Sequence, residues 1–368
     1  MHSDRHTSRG VYTIFWILHY IIRKMKVLHL LTSRSFSGAE NVVCQIILAF
    51  KGDSNMEHVY CSPMGSIKNT LSEKGVSYLP INSMTKKDIR CAIKKFNPDI
   101  IHAHGTIAAV KASLVCGKIP LVYHIHNNSF DSRRFSKKSI ANLIPFLKAS
   151  HVVWVTQHCL DCYKFSSIVK HKSTVVNNGI DLKVFQNAKV KSLDNKLIMV
   201  SRFAPAKDHE TVIKAMPLID VRFHLYFVGD GEKRPYCEEL VKTMNLGDRV
   251  HFLGVQSDIP KIVGDAFIGI QSSHWEGFGM SAVEIMACGI PVIASDADGL
   301  KQVVEGAGLI FKTGDENDLA RKIQQLATNH SLYSSVSNSC LNRSKEYSIE
   351  ETANNMRKIY NEIVGIKA

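Results

Sequence analysis

The sequence predicts an α/β protein made of two doubly wound, parallel-sheet halves. Three observations carry that prediction. Short apolar strands alternate with helix-like stretches along the chain. The alternation starts afresh near residue 196. A length of 368 residues is long for one hydrophobic core and comfortable for two.

In the first half, Lys26–Leu31 (KVLHLL) reads as the opening strand, Ser37-Gly38-Ala39-Glu40 as a turn, and NVVCQIILAF as the helix after it. Further strands are predicted at His58–Cys61, Ile100–His102, Leu121–His124, Val152–Val155 and Thr174–Val176. The second half opens with Lys196–Val200 (KLIMV), and Asp208–Met216 begins a helix. Phe223–Val228 runs into Gly229-Asp230-Gly231, and Val250–Leu253, Phe267–Gln271, Pro291–Ala294 and Gly308–Phe311 supply more strands. The join falls near Phe185–Leu193. Such sheets bind ligands outside the carboxyl ends of their strands, at the switch point. Two halves of this kind facing each other would place the site in the cleft between them. The sequence holds no repeat and no low-complexity segment.

A 45% hydrophobic fraction marks a globular chain rather than a disordered one. Nine scattered cysteines do not form a disulfide framework and fit a reducing cytoplasm. Cys159 and Cys162 make a lone C-x-x-C, with no second pair to complete a zinc site, and chance is the favoured reading. The net charge of +13 is uneven: residues 1–185 hold 25 Lys and Arg against 10 Asp and Glu, leaving 21 against 23 in the rest. A basic N-terminal half attracts lipid headgroups, a pyrophosphate-linked lipid or nucleic acid, or simply aids solubility.

Residues 1–24 differ from the rest of the chain. Val11–Ile22 is an apolar run of 12 flanked by Arg9 and by Arg23-Lys24. It is too short for a spanning helix, which needs about 20 apolar residues, and no small-residue cleavage site comes after it. It reads as a short interfacial anchor or as a leader upstream of the true start at Met25, with the leader preferred.

The segment with most chemistry is Phe267–Glu305, read as strand, loop, helix, strand, loop. Ser281 is the expected N-cap, Glu284 follows by three as in a capping box, and Gly289 and Pro291 stop the helix. Gly277-Phe278-Gly279 lets backbone amides approach a ligand, and the helix N-terminus suits a phosphate. Glu276 and Glu284 flank that turn, and a carboxylate can accept two hydrogen bonds from a vicinal diol such as that of ribose. The stretch also matches G-x-G-x-x-A, a dinucleotide fingerprint. That fingerprint normally opens the first unit of its domain, whereas this one lies late in the second half.

With these residues the chain resembles the retaining GT-B glycosyltransferases of family 4, also called group 1. Glu276 and Glu284 fit the E-x7-E signature of that family (EGFGMSAVE), and the resemblance covers nearly the whole chain from Met25. Ser37-Gly38-Ala39-Glu40 resembles its N-terminal glycine loop. Val176-Asn177-Asn178-Gly179-Ile180-Asp181 with Phe185 resembles its linker. Ser201-Arg202-Phe203 with Lys207, then Val228–Gly231 and Phe252-Leu253-Gly254, match in order and spacing.

The resemblance implies roles. Arg202 and Lys207 would hold the donor diphosphate by charge-assisted bonds. Glu284 would bind the ribose hydroxyls and Glu276 the transferred sugar. The amides of Gly279, Met280 and Ser281 would contact sugar and phosphate, and Gly38 would bring the other domain's backbone against the diphosphate. His126, in Tyr123-His124-Ile125-His126-Asn127, resembles the active-site histidine and would hydrogen-bond the donor sugar.

Two patterns raise the question of metal. His102-x-His104 and His124-x-His126 are H-x-H pairs whose alternate residues share a face. Strand-end histidines satisfied by backbone are commoner, and the family needs no metal, so no metal ligand and no cofactor is assigned. Asp296-Ala297-Asp298 matches the D-x-D of a different glycosyltransferase fold. It lies where the family usually has S-x-x-G-G-x-x-E, so Asp298 replaces a glycine beside Gly299. Lys207-Asp208 is a second departure, because glycine usually follows that lysine.

The resemblance implies a GT-B fold of two Rossmann-like domains across a cleft, residues 25–185 for the acceptor and 186–345 for the nucleotide-sugar. The last helix, Ser348–Val364 within residues 346–368, would cross back to the first domain. The implied activity is hexosyl-type transfer with retention from a nucleotide-sugar, UDP favoured over GDP, to a glycan or lipid-linked glycan. Bacterial surface polysaccharide assembly at the inner face of the cell membrane, in peripheral contact with anionic lipid and without nucleic acid, is the expected setting. A nucleotide-sugar epimerase on the same architecture and a non-enzymatic polyanion-binding protein are the alternatives.

Overall fold

The computed structural model describes residues 23–126, 130–188 and 195–366. The apolar run Val11–Ile22, Asn127 of the histidine motif and part of the Phe185–Leu193 connection lie outside the described residues.

Thirteen described strands form two parallel sheets. The first holds β1 (Met25–Leu30), β2 (Met56–Pro63), β3 (Tyr78–Ile81), β4 (Ile100–His104), β5 (Leu121–Ile125), β6 (His151–Trp154) and β7 (Ser173–Val175), in the order β3-β2-β1-β4-β5-β6-β7. The second holds β8 (Lys196–Val200), β9 (His224–Val228), β10 (Val250–Phe252), β11 (Ile268–Gln271), β12 (Val292–Ser295) and β13 (Leu309–Phe311), in the order β10-β9-β8-β11-β12-β13. Both orders reverse direction beside their first strand, which is the doubly wound, Rossmann-like plan. Helices cover both faces of such sheets, so the strands are apolar along their length. Every residue of β4, β5, β11 and β12 is buried.

Two elements differ from the sequence prediction. Strand β3 was not expected. It is short, lies at the sheet edge and contains Pro80, which an edge strand tolerates because its amide is not needed by a further neighbour. The turn expected at Ser37–Glu40 is already helix: Gly38–Ala49 is helical, Ser37 is its N-cap, and the Ser37 hydroxyl donates to the Glu40 carboxylate.

The described residues divide into two compact units, 23–124, 141–152 and 357–366 in one and 125–126, 130–140, 153–188 and 195–356 in the other. Within the second, the linker motif is bound to the start of the helix Ile349–Val364. The Ile180 amide donates to Tyr347 O at 3.0 Å, the Ile349 amide to Ile180 O at 2.9 Å, and the Thr352 hydroxyl to Asn177 O at 2.9 Å. A side chain on Gly179 would collide with Ser348 O at 2.3 Å, which explains the glycine of that motif. Within the first unit, the end of the same helix is fastened by Arg357, which pairs with Asp53 and lies 5.0 Å over the Phe50 ring. Tyr360 donates or accepts at His102 Nδ1 over 2.7 Å.

Arg357→Ala is therefore expected to lower stability by about 1–2 kcal/mol through loss of a half-buried ion pair and a cation–π contact. Urea unfolding checks this, and an unchanged midpoint would show that the helix end is held by apolar packing alone.

Candidate active site

The densest polar region lies beyond the carboxyl ends of β8, β11 and β12. After β8 the chain runs through Ser201-Arg202-Phe203 to Lys207. Phe203 anchors this loop: its amide donates to Asp230 O at 3.0 Å, and its ring stacks on buried His209 with centroids 3.9 Å apart. Arg202 is exposed, with no ion-pair partner among the described residues.

Lys207 lies beside Ser273 in an isolated antiparallel bridge, which ties the β8 loop to the β11 loop. The Lys207 ammonium contacts a Glu276 carboxylate oxygen directly and donates to Ser273 Oγ at 3.2 Å. The other Glu276 oxygen accepts the Gly277 amide at 3.2 Å. The structure thus brings Lys207 and Glu276 together as one ion pair, both side chains about four-fifths covered (19% and 20% exposed). Ser273 is placed in turn by Ser295, whose hydroxyl accepts the Ser273 amide and donates to its carbonyl, each at 2.9 Å.

Asp208, the departure after Lys207, has a local purpose. It is the N-cap of helix His209–Ala215, accepting the Thr211 amide at 3.1 Å, and it also accepts the Ser272 hydroxyl at 3.3 Å. Ser273 and Ser295 were not singled out from the sequence, and Asp208 was noted only as a departure and as the start of a helix. The D-x-x-T cap pattern was readable for Asp208, whereas nothing local marks the two serines.

The helix after β11 begins two residues earlier than expected. It spans Met280–Ala287, and its N-cap is Gly279 rather than Ser281. Gly279 has φ of 100°, a conformation glycine adopts without penalty, so the chain turns there before Ser281 is reached. A Cβ at Gly279 would also meet Leu300 Cδ1 at 2.7 Å. The expected capping box therefore does not form. Met280 and Ser281 become the first helical residues, whose amides lack intrahelical acceptors. Gly299 supports the same turn: a Cβ there would strike the carbonyls of Gly277 and Glu276 at 2.4 and 2.6 Å.

Glu284 stands in this first part of the helix, with no ion pair among the described residues. Although part of its side chain reaches the surface, burial pushes its carboxyl up to about 7. Proximity to Glu276 is not a cause. The two carboxylates of the signature thus differ in surroundings, one in an ion pair, the other desolvated.

The other assigned residues fall elsewhere. His126 follows β5, and burial lowers it to about 4, so the ring is neutral at physiological pH. Gly38 is the first residue of helix Gly38–Ala49, and nothing lies within 4 Å of where its Cβ would be, so the chain's own packing does not demand glycine there. Of the D-x-D pair, Asp296 accepts the Thr313 amide and hydroxyl at 2.9 and 2.6 Å, and Asp298 accepts from Arg133 at 2.9 Å and His158 at 3.0 Å. In the C-x-x-C, Cys159 is buried with its thiol pushed up to about 11, mainly by burial, and it donates to Gly277 O at 3.8 Å. That is a packing thiol, not a reactive one.

A family profile described as Glycosyl transferases group 1 matches residues 182–342, and one described as Glycosyltransferase Family 4 matches residues 38–184. An uncharacterized glycosyltransferase of Methanocaldococcus jannaschii is 28% identical over 306 residues, 79% of this chain and 82% of that protein. The UDP-Gal:alpha-D-GlcNAc-diphosphoundecaprenol alpha-1,3-galactosyltransferase of Escherichia coli is 25% identical over 365 residues, 87% of this chain and 92% of that protein. Among solved structures, Anabaena HepE in complex with UDP-glucose superposes with a TM-score of 0.82 at 21% identity, over 92% of this chain and 100% of that one. At that identity the likeness establishes the fold, a GT-B pair of parallel sheets.

The raised carboxyl of Glu284 makes a stability prediction. The folded state holds this proton more tightly than an unfolded carboxyl at 4.5, so its penalty builds as pH rises from 4.5 to about 7 and is complete above that. Glu284→Gln is expected to raise stability at pH 8 by on the order of 2 kcal/mol and to change it little at pH 4.5. Thermal unfolding at the two pH values checks this. Equal effects at both would place the carboxyl's proton affinity in the ordinary range.

Proposed function

Because the chain belongs to the group 1 glycosyltransferases, also called family 4, and has their GT-B fold, we propose that it moves a sugar from a UDP-sugar to a lipid-linked glycan with retention of anomeric configuration. The observation that carries the reading is the Lys207–Glu276 ion pair beside the helix that Gly279 opens, with Glu284 desolvated one turn further on.

In this reading Arg202 and Lys207 hold the diphosphate, and Lys207 exchanges part of its contact with Glu276 for phosphate oxygen when the donor enters. Glu276, released from full pairing, accepts hydroxyl protons of the transferred sugar. The first amides of the helix, at Gly279, Met280 and Ser281, contact phosphate and sugar with the positive end of the helix dipole. Glu284 takes the ribose diol, and binding favours its ionised form. His126 serves as a neutral hydrogen-bonding ring, because its imidazolium is suppressed at working pH. No protein nucleophile is needed. The leaving diphosphate takes the acceptor proton on the face it departs from, so the new bond forms on that same face. The rate then comes from placement and from stabilising charge on the leaving phosphate. No divalent metal is required for transfer, since the two cations supply the countercharge.

The preference for UDP and for a lipid-linked acceptor is supported by the activity of the similar Escherichia coli enzyme and by the UDP-glucose held by HepE. A membrane-facing acceptor also suits the surface of helices Thr106–Ser113 and Leu143–Lys148. Ile107, Leu114, Ile144 and Leu147 are exposed there among Lys111, Lys118 and Lys148, with no acidic residue in 105–120 or 141–150. No helix of the described residues is long and apolar enough to cross a membrane. The setting proposed is therefore peripheral, on the cytoplasmic face, in surface polysaccharide assembly.

A thermal-shift screen of UDP-, GDP- and ADP-sugars should give stabilisation with UDP-sugars, and transfer should require an acceptor. Lys207→Ala and Glu284→Ala are expected to lower kcat/KM for donor by about 10²-fold or more. Activity should persist when EDTA is added to the assay. Full transfer by the variants at limiting donor would overturn the site, and nucleotide release without acceptor would point to an epimerase instead.

A further inference from the structure

The interior of the first sheet carries a feature the transfer reaction does not use. His29, His58, His102, His104 and His124 are all buried, at positions where parallel strands normally place Val, Ile or Leu. They share one face. His29 pairs in register with His102, and His104 with His124, while His58 pairs with Val27, two residues before His29. β1 and β4 flank the reversal of strand order, and His29 and His104 lie toward their carboxyl ends.

The rings are oriented toward one another. His29 Nδ1 lies 3.0 Å from His104 Nε2, and His102 and His104 have ring centroids 4.1 Å apart. One nitrogen from each of His29, His102 and His104 lies within 4.8 Å of the others. The outer nitrogens are held by named groups: His29 Nε2 is 2.9 Å from His58 Nδ1, and His102 Nδ1 is 2.7 Å from the Tyr360 hydroxyl. An outer hydrogen bond that fixes ring and tautomer is the usual companion of a metal-ligating imidazole.

We propose that His29, His102 and His104 form a structural zinc site in the interior of the first sheet, with His58 and Tyr360 as the residues that orient its ligands. A tetrahedral zinc with bonds of about 2.0 Å needs ligand nitrogens about 3.3 Å apart. The His29–His104 pair is already near that spacing at 3.0 Å, and a nitrogen of His102 lies within 4.8 Å of both rings' ligand atoms. His29 Nδ1, His104 Nε2 and His102 Nε2 are the ligand atoms, and water takes the fourth position. Neutral imidazole is the binding form. The ion would join β1 to β4 at the switch point and, through Tyr360, to the last helix. A structural ion takes no part in the transfer chemistry, so it is compatible with metal-independent transfer.

The test is metal analysis of the full chain after removal of any affinity tag. Protein purified from zinc-supplemented cells, or refolded with Co²⁺, is expected to hold about one equivalent of tightly bound ion, and the cobalt form to show tetrahedral ligand-field bands. His104→Ala and His29→Ala are expected to lose the ion, and His58→Gln to keep it with about 10–100-fold weaker affinity. If the alanine variants do not fold, X-ray absorption on wild-type protein decides by counting imidazole ligands, three being expected. Wild-type protein with less than about 0.1 equivalent after both treatments overturns the proposal, and identifies a hydrogen-bonded histidine ladder. A full equivalent that survives in folded His29→Ala and His104→Ala also overturns it.

Discussion

A parallel strand covered by helices on both faces has no solvent-facing side, so polar groups can gather only where strands end. This constraint organises the second sheet. Ser201–Lys207 follows β8, Ser272–Gly279 follows β11, and Asp296–Asp298 follows β12, whose last residue is Ser295. The three loops are neighbours because the strand order places β11 between β8 and β12. Lys207 and Glu276 meet although 69 residues separate them, and Ser295 reaches Ser273 for the same reason. The turn at Gly279 completes the arrangement, since Leu300 leaves no room for a side chain at Gly279, and the Gly277 and Glu276 carbonyls leave none at Gly299.

Within that arrangement identical residue types acquire different surroundings. Glu276 faces a lysine ammonium and a backbone amide. Glu284 has no ion pair among the described residues, and desolvation favours its proton. A donor's diphosphate and ribose would meet these two groups differently, one requiring an exchange of ion-pair partners and the other a loss of a proton. The first sheet breaks its own rule by burying five imidazoles. Ring nitrogens join His29 to His58 and to His104, and His102 to Tyr360, and an ion among them would draw on the same geometry.

Much of this was legible in the chain. The strands carry continuous apolar runs, and Lys196–Val200 matches its observed strand end to end. The edge strand β3 was not legible, because Pro80 and its four-residue length hide it. The order of motifs pointed to Glu276, Glu284, Arg202 and Lys207, and the glycines marked the turns. The N-cap was misread at Ser281 because cap propensity favours serine, whereas a positive φ at Gly279 turns the chain sooner. Ser273 and Ser295 were invisible, since an ordinary serine gains meaning only from a partner on another strand.

The sequence by itself determined the doubly wound class, the family and the residue types offered at each strand end, because these follow from local periodicity and from spacing along the chain. Only the tertiary structure decided which of those residues meet. That Lys207 is paired with Glu276, that Glu284 is desolvated, and that His29 joins His102 and His104 all depend on strand order. Strand order is set by long-range burial of apolar faces, which no local pattern encodes.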